Sequence, residues 1–268
     1  MKDEVLEARQ EAIRRHEEDS GMFQGRYQSF EDGKFTDAFV FGRFQILEDC
    51  ERILSELPKG STVLDLGCGT GHFCRSIQQY GHTPVGLEPS QEMLKFARGN
   101  FPGIEFVSGI SVELPFPDNS FDLIICIEVL RYLKSQDIEN TYKEMHRVLK
   151  PGGKIFATHV NLLATDGYFF YYHLLGILRK VQGQSYHHCH FTTGAKEIRR
   201  VEQAGFEKAS AWGRMYGFIR QGYKLGAFIG RRFARFCDLL NARQSWSSGL
   251  ARDFAGHILI TAEKPRKK

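Results

Sequence analysis

The chain has 268 residues, enough for one large domain with a well-buried core or one domain carrying sizeable insertions. With 42% hydrophobic and 25% charged residues it reads as an ordinary globular protein, which excludes a disordered, collagen-like or disulfide-stapled chain. Its formal charge of +4 conceals an asymmetry, because residues 1–149 carry 16 Lys and Arg against 25 Asp and Glu, a net −9, whereas residues 150–268 carry 20 against 7, a net +13. An anionic partner, whether substrate, phospholipid surface or nucleic acid, is expected to meet the second half.

The opening MKDEVLEARQEAIRRHEED is a charged helical stretch rather than a signal peptide, and no apolar run approaches the roughly 18 residues of a membrane span, so a cytoplasmic location is expected. An aromatic, glycine-rich stretch after Gly21 has no clean period and reads as a lid; residues 1–45 are taken as this helix and lid, and 46–268 as the main domain. A helix over about Phe44–Leu57 leads to a strand over Thr62–Leu66. Strands then alternate with helices: Thr83–Leu87, a helix from Ser90 as N-cap to Asn100, Ile104–Ser108, Phe121–Ile127, a helix over Ile138–Leu149, and Lys154–His159. The regularity breaks at an aromatic, His-rich insertion over 161–190, returns as a helix over Thr192–Ala204 and a strand over Glu207–Trp212, and breaks again over 214–254. A last strand covers His257–Ala262. Seven strands alternating with helices predict an α/β, Rossmann-like doubly wound sheet with helical insertions.

The six cysteines form no CxxC pair, which argues against a zinc knuckle or a disulfide framework and suits free thiols. Val63-Leu64-Asp65-Leu66-Gly67-Cys68-Gly69-Thr70-Gly71 runs an apolar strand into three glycines at alternate positions. Such a turn lets a ligand lie against bare backbone at a helix N-terminus. The dinucleotide fingerprint G-x-G-x-x-G would require glycine where this chain has His72, which counts against an NAD(P) or FAD site.

This segment resembles motif I of class I S-adenosylmethionine-dependent methyltransferases. Gly86-Leu87-Glu88-Pro89-Ser90, Leu114 to Asp122, and Arg147 to Gly153 resemble later segments of the ubiquinone and menaquinone biosynthesis-like, or type 11, members. The likeness covers about residues 60–160. It implies a mostly parallel sheet with an antiparallel last strand, S-adenosyl-L-methionine as cofactor, and S-adenosyl-L-homocysteine as product. It also implies that Asp65, Gly67, Cys68, Gly69, Gly71, Glu88, Pro89, Met93, Ile110, Ser111 and Cys126 line the cofactor site, with Glu88 taking the two ribose hydroxyls. A carboxylate is an acceptor-only group able to receive both donors. Asp65 has a second reading, as a buried group holding loop amides. Family members usually carry Asp-Ala where this chain has Ile110-Ser111, so the adenine is expected to rest on backbone, Ser111, Ile110 and Met93.

A sulfonium methyl is already activated, so the protein has chiefly to align the acceptor and exclude water. A base would help an oxygen nucleophile, and Glu128, His159, His188 and His190 are candidates. Glu128 follows Cys126 at the end of the fourth strand, beside the expected methyl position; it reads equally as a helix-start carboxylate. Tyr186-His187-His188-Cys189-His190 lacks a distant second pair of ligands, so no metal site is expected. On a helical projection of 218–240, apolar residues from Phe218 to Leu240 gather in one arc of roughly 160°, with Arg220, Lys224, Arg231 and Arg235 opposite and Phe228 and Arg232 off the pattern. That pattern suits a cover helix or a peripheral contact with the inner face of a membrane. With Tyr168-Phe169-Phe170-Tyr171-Tyr172 it points to a small, lipophilic or aromatic acceptor, with the quinone and lipid classes as candidates. RNA methylation and a cofactor-binding, inactive partner subunit are the alternatives.

Overall fold

The computed structural model describes residues 38–165, 168–183, 188–216 and 254–266, with positions 10, 13–14 and parts of 222–236. In chain order these are α1 (Ala38–Glu56), β1 (Thr62–Leu66), α2 (His72–Gln79), β2 (Thr83–Glu88), α3 (Gln91–Asn100), β3 (Glu105–Ser108) and β4 (Phe121–Cys126). There follow a 3₁₀ turn (Leu130–Tyr132), α4 (Ser135–Val148), β5 (Leu149–Asn161), α5 (Tyr168–Val181), β6 (Phe191–Thr192), α6 (Gly194–Gln203), β7 (Glu207–Tyr216) and β8 (Ala255–Glu263).

The strands form one sheet in the order β3-β2-β1-β4-β5-β8-β7, with the two-residue β6 paired to β5 as an eighth strand beyond the seven expected. Strands β1 to β5 pair in parallel, while β8 lies antiparallel to both β5 and β7. The strand order reverses between β1 and β4, so the C-terminal ends of these two strands open a crevice of the kind that receives ligands in doubly wound folds.

Alternation along the strands sorts the core onto two faces. Leu64, Leu66, Ile124, Ile155, Ile258 and Ile260 pack with Ile138, Tyr142 and Met145 of α4 and Val201 of α6. On the other face Val63, Leu123, Ile125, Phe156 and Leu259 pack with Ile46, Cys50 and Leu54 of α1 and Phe73 and Ile77 of α2. Each fully buried branched side chain contributes about 1.5–3 kcal/mol, so a polar replacement at Ile124 or Ile125 would separate sheet from helix. Asp49 ties α1 to β7: its carboxylate accepts from Arg214 Nε at 2.6 Å and Nη2 at 2.7 Å, and from Trp212 Nε1 at 3.1 Å.

Several boundaries differ from the sequence expectation. Helix α1 starts at Ala38, so the end of the aromatic stretch is helical and the 45/46 division falls inside one helix; the lid before it lies outside the described residues. Helix α4 begins three residues before Ile138, at Ser135, where Asp137 complements the helix dipole in the first turn. Lys150-Pro151-Gly152-Gly153 does not precede β5 but bulges within it, the register jumping between the pairs Phe121–Leu149 and Leu123–Lys154, with Gly152 at φ +81°. Strand β7 continues to Tyr216, past the start assigned to the second insertion. A continuous helix over 218–240 is overturned. The Gly226 φ of +124° ends the first turn, closed by the Leu225 and Gly226 amides donating to Gly222 and Tyr223 carbonyls, and residues 228–230 are helical again. Phe218, Ile219, Arg220, Lys224 and Leu240 of that projection lie outside the described residues.

Candidate active site

Strand β1 delivers the chain to the glycine turn, and β2 secures it. The Gly67 and Cys68 amides both donate to the Leu87 carbonyl, at 2.7 and 3.0 Å, which bends the turn across the tip of β2. Gly67, Gly69 and Gly71 all have positive φ, of 81°, 53° and 81°, a conformation that L side chains adopt only at a cost. A Cβ at Gly67 would also strike Val129, and one at Gly71 would meet the Phe106 ring. At Gly69 a Cβ would meet only Met93 Sδ, at 3.6 Å, so this glycine presents open backbone. Helix α2 then starts from Gly71, where no side chain caps it, at the end of the turn.

Glu88, buried at the tip of β2, points into this turn: Oε2 accepts from the Gly69 amide and Oε1 from the Ser90 amide, both at 3.1 Å. A carboxylate is an acceptor-only group, the chemistry that ribose hydroxyls need. Pro89 follows, and Ser90 caps α3 by accepting from the Met93 amide at 3.3 Å, which sets Met93 beside Gly69. Bare backbone, an acceptor carboxylate and an uncapped helix start therefore converge, as a ribose-bearing amino-acid cofactor requires.

The remaining expected cofactor residues divide. Asp65 turns to the α2 face and accepts from the Cys74 thiol at 3.4 Å. Burial pushes its carboxyl up to about 6, against the lowering effects of that hydrogen bond and of Arg43. Cys68 is buried, its Sγ 3.9 Å from the Gly69 carbonyl. Cys126 is fully buried with its side chain in the α4-side core, so only its backbone reaches the crevice, and burial raises its thiol. Ile110 makes an isolated bridge to Glu113, and the Ser111 hydroxyl, expected near the adenine, is engaged with Thr141 Oγ1 of α4 at 3.0 Å. Leu114 to Asp122 is held by Arg147, whose guanidinium donates to the Leu114 and Phe116 carbonyls and to Glu144 and Asp118 at 2.8–2.9 Å. The two segments that resemble family members thus meet in one structural clamp.

On the acceptor side Glu128 sits just past β4 with φ +62°, a conformation that costs a non-glycine residue about 1–2 kcal/mol. Its amide donates to Thr158 Oγ1 at 2.8 Å; its carboxylate accepts from Arg131 Nη1 at 2.7 Å and faces His257 Nε2 at 3.1 Å. Burial pushes the Glu128 carboxyl up, but His257 and Arg131 outweigh it and hold the group well below the usual carboxylate range. Both carboxylate oxygens of Glu128 are engaged, Oε2 by Arg131 and Oε1 by His257. Neither partner figured among the sequence candidates. Arg131 stands at i+3 from Glu128, a spacing that could have signalled it; His257 lies 129 positions further on and is brought in only by β8.

The histidines singled out in sequence are tied elsewhere. His190 Nε2 accepts from Arg200 Nη1 at 3.1 Å, and burial lowers its ring to about 4, so the lone pair a base would use is already engaged. Burial likewise lowers His188, whose Nε2 lies 3.2 Å from the Leu133 carbonyl. His159 is fully buried on the α4 face, 2.6 Å from the Tyr142 hydroxyl and 3.4 Å from Glu197. Among the described residues no His, Cys, Asp and Glu group could hold a metal ion.

The chain is similar to known methyltransferases. A family profile described as a methyltransferase domain matches residues 64–157. A demethylmenaquinone methyltransferase of Lysinibacillus sphaericus is 32% identical over 171 residues, 56% of this chain and 72% of the relative. One of Bacillus licheniformis is 32% identical, covering 58% and 69%. The phosphoethanolamine N-methyltransferase 2 of Haemonchus contortus, solved with S-adenosylhomocysteine, shares the fold with a TM-score of 0.59 at 20% identity, over 83% of this chain and 52% of that one. The chain belongs to the S-adenosylmethionine-dependent methyltransferase family. It is an enzyme of that class, and its cofactor is S-adenosyl-L-methionine.

Proposed function

We propose that the chain methylates a lipophilic aromatic small molecule of the quinone class, with the cofactor lying along Gly67, Gly69 and Gly71 and its ribose on Glu88. The carrying observation is on the acceptor side: Arg131, paired with Glu128, also donates through Nη2 to the Tyr168 hydroxyl at 2.9 Å, joining the polar cluster to an aromatic wall. Tyr168, Phe169 and Tyr172 pack on Phe191 with ring centroids 5.1–5.9 Å apart. Relatives named for demethylmenaquinone support the quinone class.

The bound cofactor supplies an activated methyl group. Arg131 orients an anionic or phenolic oxygen of the acceptor, beside the pair that Glu128 makes with His257. Glu128 accepts from Arg131 Nη1 and faces His257 Nε2, which fixes both side chains at the acceptor side. The test is to incubate the purified chain with methyl-labelled cofactor and separate hydroquinone, phenol, polar-metabolite and RNA pools. Label extracted with the hydroquinones is expected; label confined to RNA or to polar metabolites would refute the reading.

A further inference from the structure

Helix α5, Tyr168–Val181, contains no carboxylate and is apolar on both of its sides. Its inner side is accounted for, since Tyr168 and Tyr172 pack on Val160, Cys189 and Phe191. Its outer side is the anomaly. Phe170, Leu174, Ile177 and Val181 recur at the spacing of one helical face and are 77%, 57%, 63% and 82% exposed, with Tyr171 and Leu178 exposed beside them. A surface helix ordinarily turns polar residues outward, and while single exposed apolar residues are common, a six-residue stripe marks an interaction surface.

Three observations select the partner. The helix is about 21 Å long, short of a hydrocarbon core of about 30 Å, and no described helix is long and apolar enough to cross a membrane, so α5 suits lying on a bilayer. Arg179 and Lys180 occupy its last turn, in the half of the chain that carries net +13. The same composition recurs over 228–236, where Phe228, Phe233 and Phe236 are exposed together with Arg231, Arg232 and Arg235. Apolar side chains among cations, without anions, complement an anionic phospholipid surface.

We propose that α5 is a membrane-docking helix that lies in the interface of an anionic bilayer with Phe170, Leu174, Ile177 and Val181 buried among the acyl chains. Through Tyr168 its base joins Arg131 at the acceptor side, so docking brings the site to the surface from which a lipophilic acceptor leaves the bilayer. This purpose rests on the lipophilic-acceptor reading, whereas the binding itself requires no turnover.

The test is co-sedimentation of the full chain with vesicles of phosphatidylcholine alone or mixed equally with phosphatidylglycerol. The wild-type chain is expected on the anionic vesicles, and a Phe170→Glu/Ile177→Glu double variant is expected to lose at least ~10-fold in partitioning while keeping its affinity for S-adenosylhomocysteine. Should the double variant fail to bind that ligand, Ile177→Gln replaces it as the milder probe. Wild-type chain that stays in the supernatant, or variants that sediment as well as wild type, would overturn the proposal. So would a wild-type dimer broken by the same substitutions without vesicle binding, which would give the stripe to a second copy of the chain. Vesicle binding with no methylation of hydroquinones would sink the acceptor reading and leave the docking helix standing; the converse would do the reverse.

Discussion

Replacement of Glu88 by alanine is the most direct probe of the cofactor site. The buried carboxylate receives the Gly69 and Ser90 amides at the tip of β2, where the ribose of the cofactor is proposed to lie. Hydrogen bonds to a charged group contribute about 1.5–3 kcal/mol each, so losing two to the ligand amounts to about 3–6 kcal/mol, a weakening of roughly 10²–10⁴-fold in cofactor affinity. The substitution also leaves two backbone amides without their acceptor at a cost of about 1–3 kcal/mol each, so the ligand-free melting temperature falls as well. Glu88→Gln keeps the shape and one acceptor oxygen, and should fall between alanine and wild type in both respects. Titration calorimetry with S-adenosylhomocysteine measures the first effect and thermal unfolding the second. If Glu88→Ala bound S-adenosylhomocysteine within about threefold of wild type, the ribose assignment would fail whatever happened to stability.

Three further expectations follow from the same geometry. Because burial raises the Asp65 carboxyl from 3.8 to about 6, its contribution to stability is present below about pH 4 and is lost as pH rises through 6; Asp65→Asn should therefore be the more stable form at pH 8, by on the order of 3 kcal/mol, with the advantage vanishing in acid, as urea titrations across pH would show. His257→Ala should remove the contact to Glu128 and lower turnover about 10–100-fold while leaving S-adenosylhomocysteine affinity unchanged; turnover within about threefold of wild type would remove His257 from the acceptor side. Arg147→Lys should lose the forked contacts to Leu114, Phe116, Glu144 and Asp118 and cost about 1–3 kcal/mol by chemical denaturation, with no change in cofactor affinity if its role is the loop clamp alone.

What the sequence could and could not reveal divides along the range of the interactions. The β1 turn was legible because three glycines at alternate positions are a local demand, and all three adopt positive φ. Ser90 as N-cap was legible for the same reason, its hydroxyl reaching an amide only three residues away. The bulge within β5 escaped notice because a Pro-Gly-Gly run reads as a terminator unless the neighbouring strand is present to continue the ladder across it. A helical projection of 218–240 assumed an unbroken helix and missed the reversal at Gly226, since a glycine is compatible with both.

The amino-acid sequence by itself determined the order of strands and helices, the glycine turn and the carboxylate at the tip of β2, because each depends on residues within a few positions of one another. Only the tertiary structure decided which titratable groups meet. The same fold that consigns His159 and His190 to a buried network with Glu197 and Arg200 draws His257 from the last strand onto Glu128. Side-chain chemistry is written locally, but its company is set by sheet order and by which face of each strand a residue occupies, and those are properties of the whole packed chain.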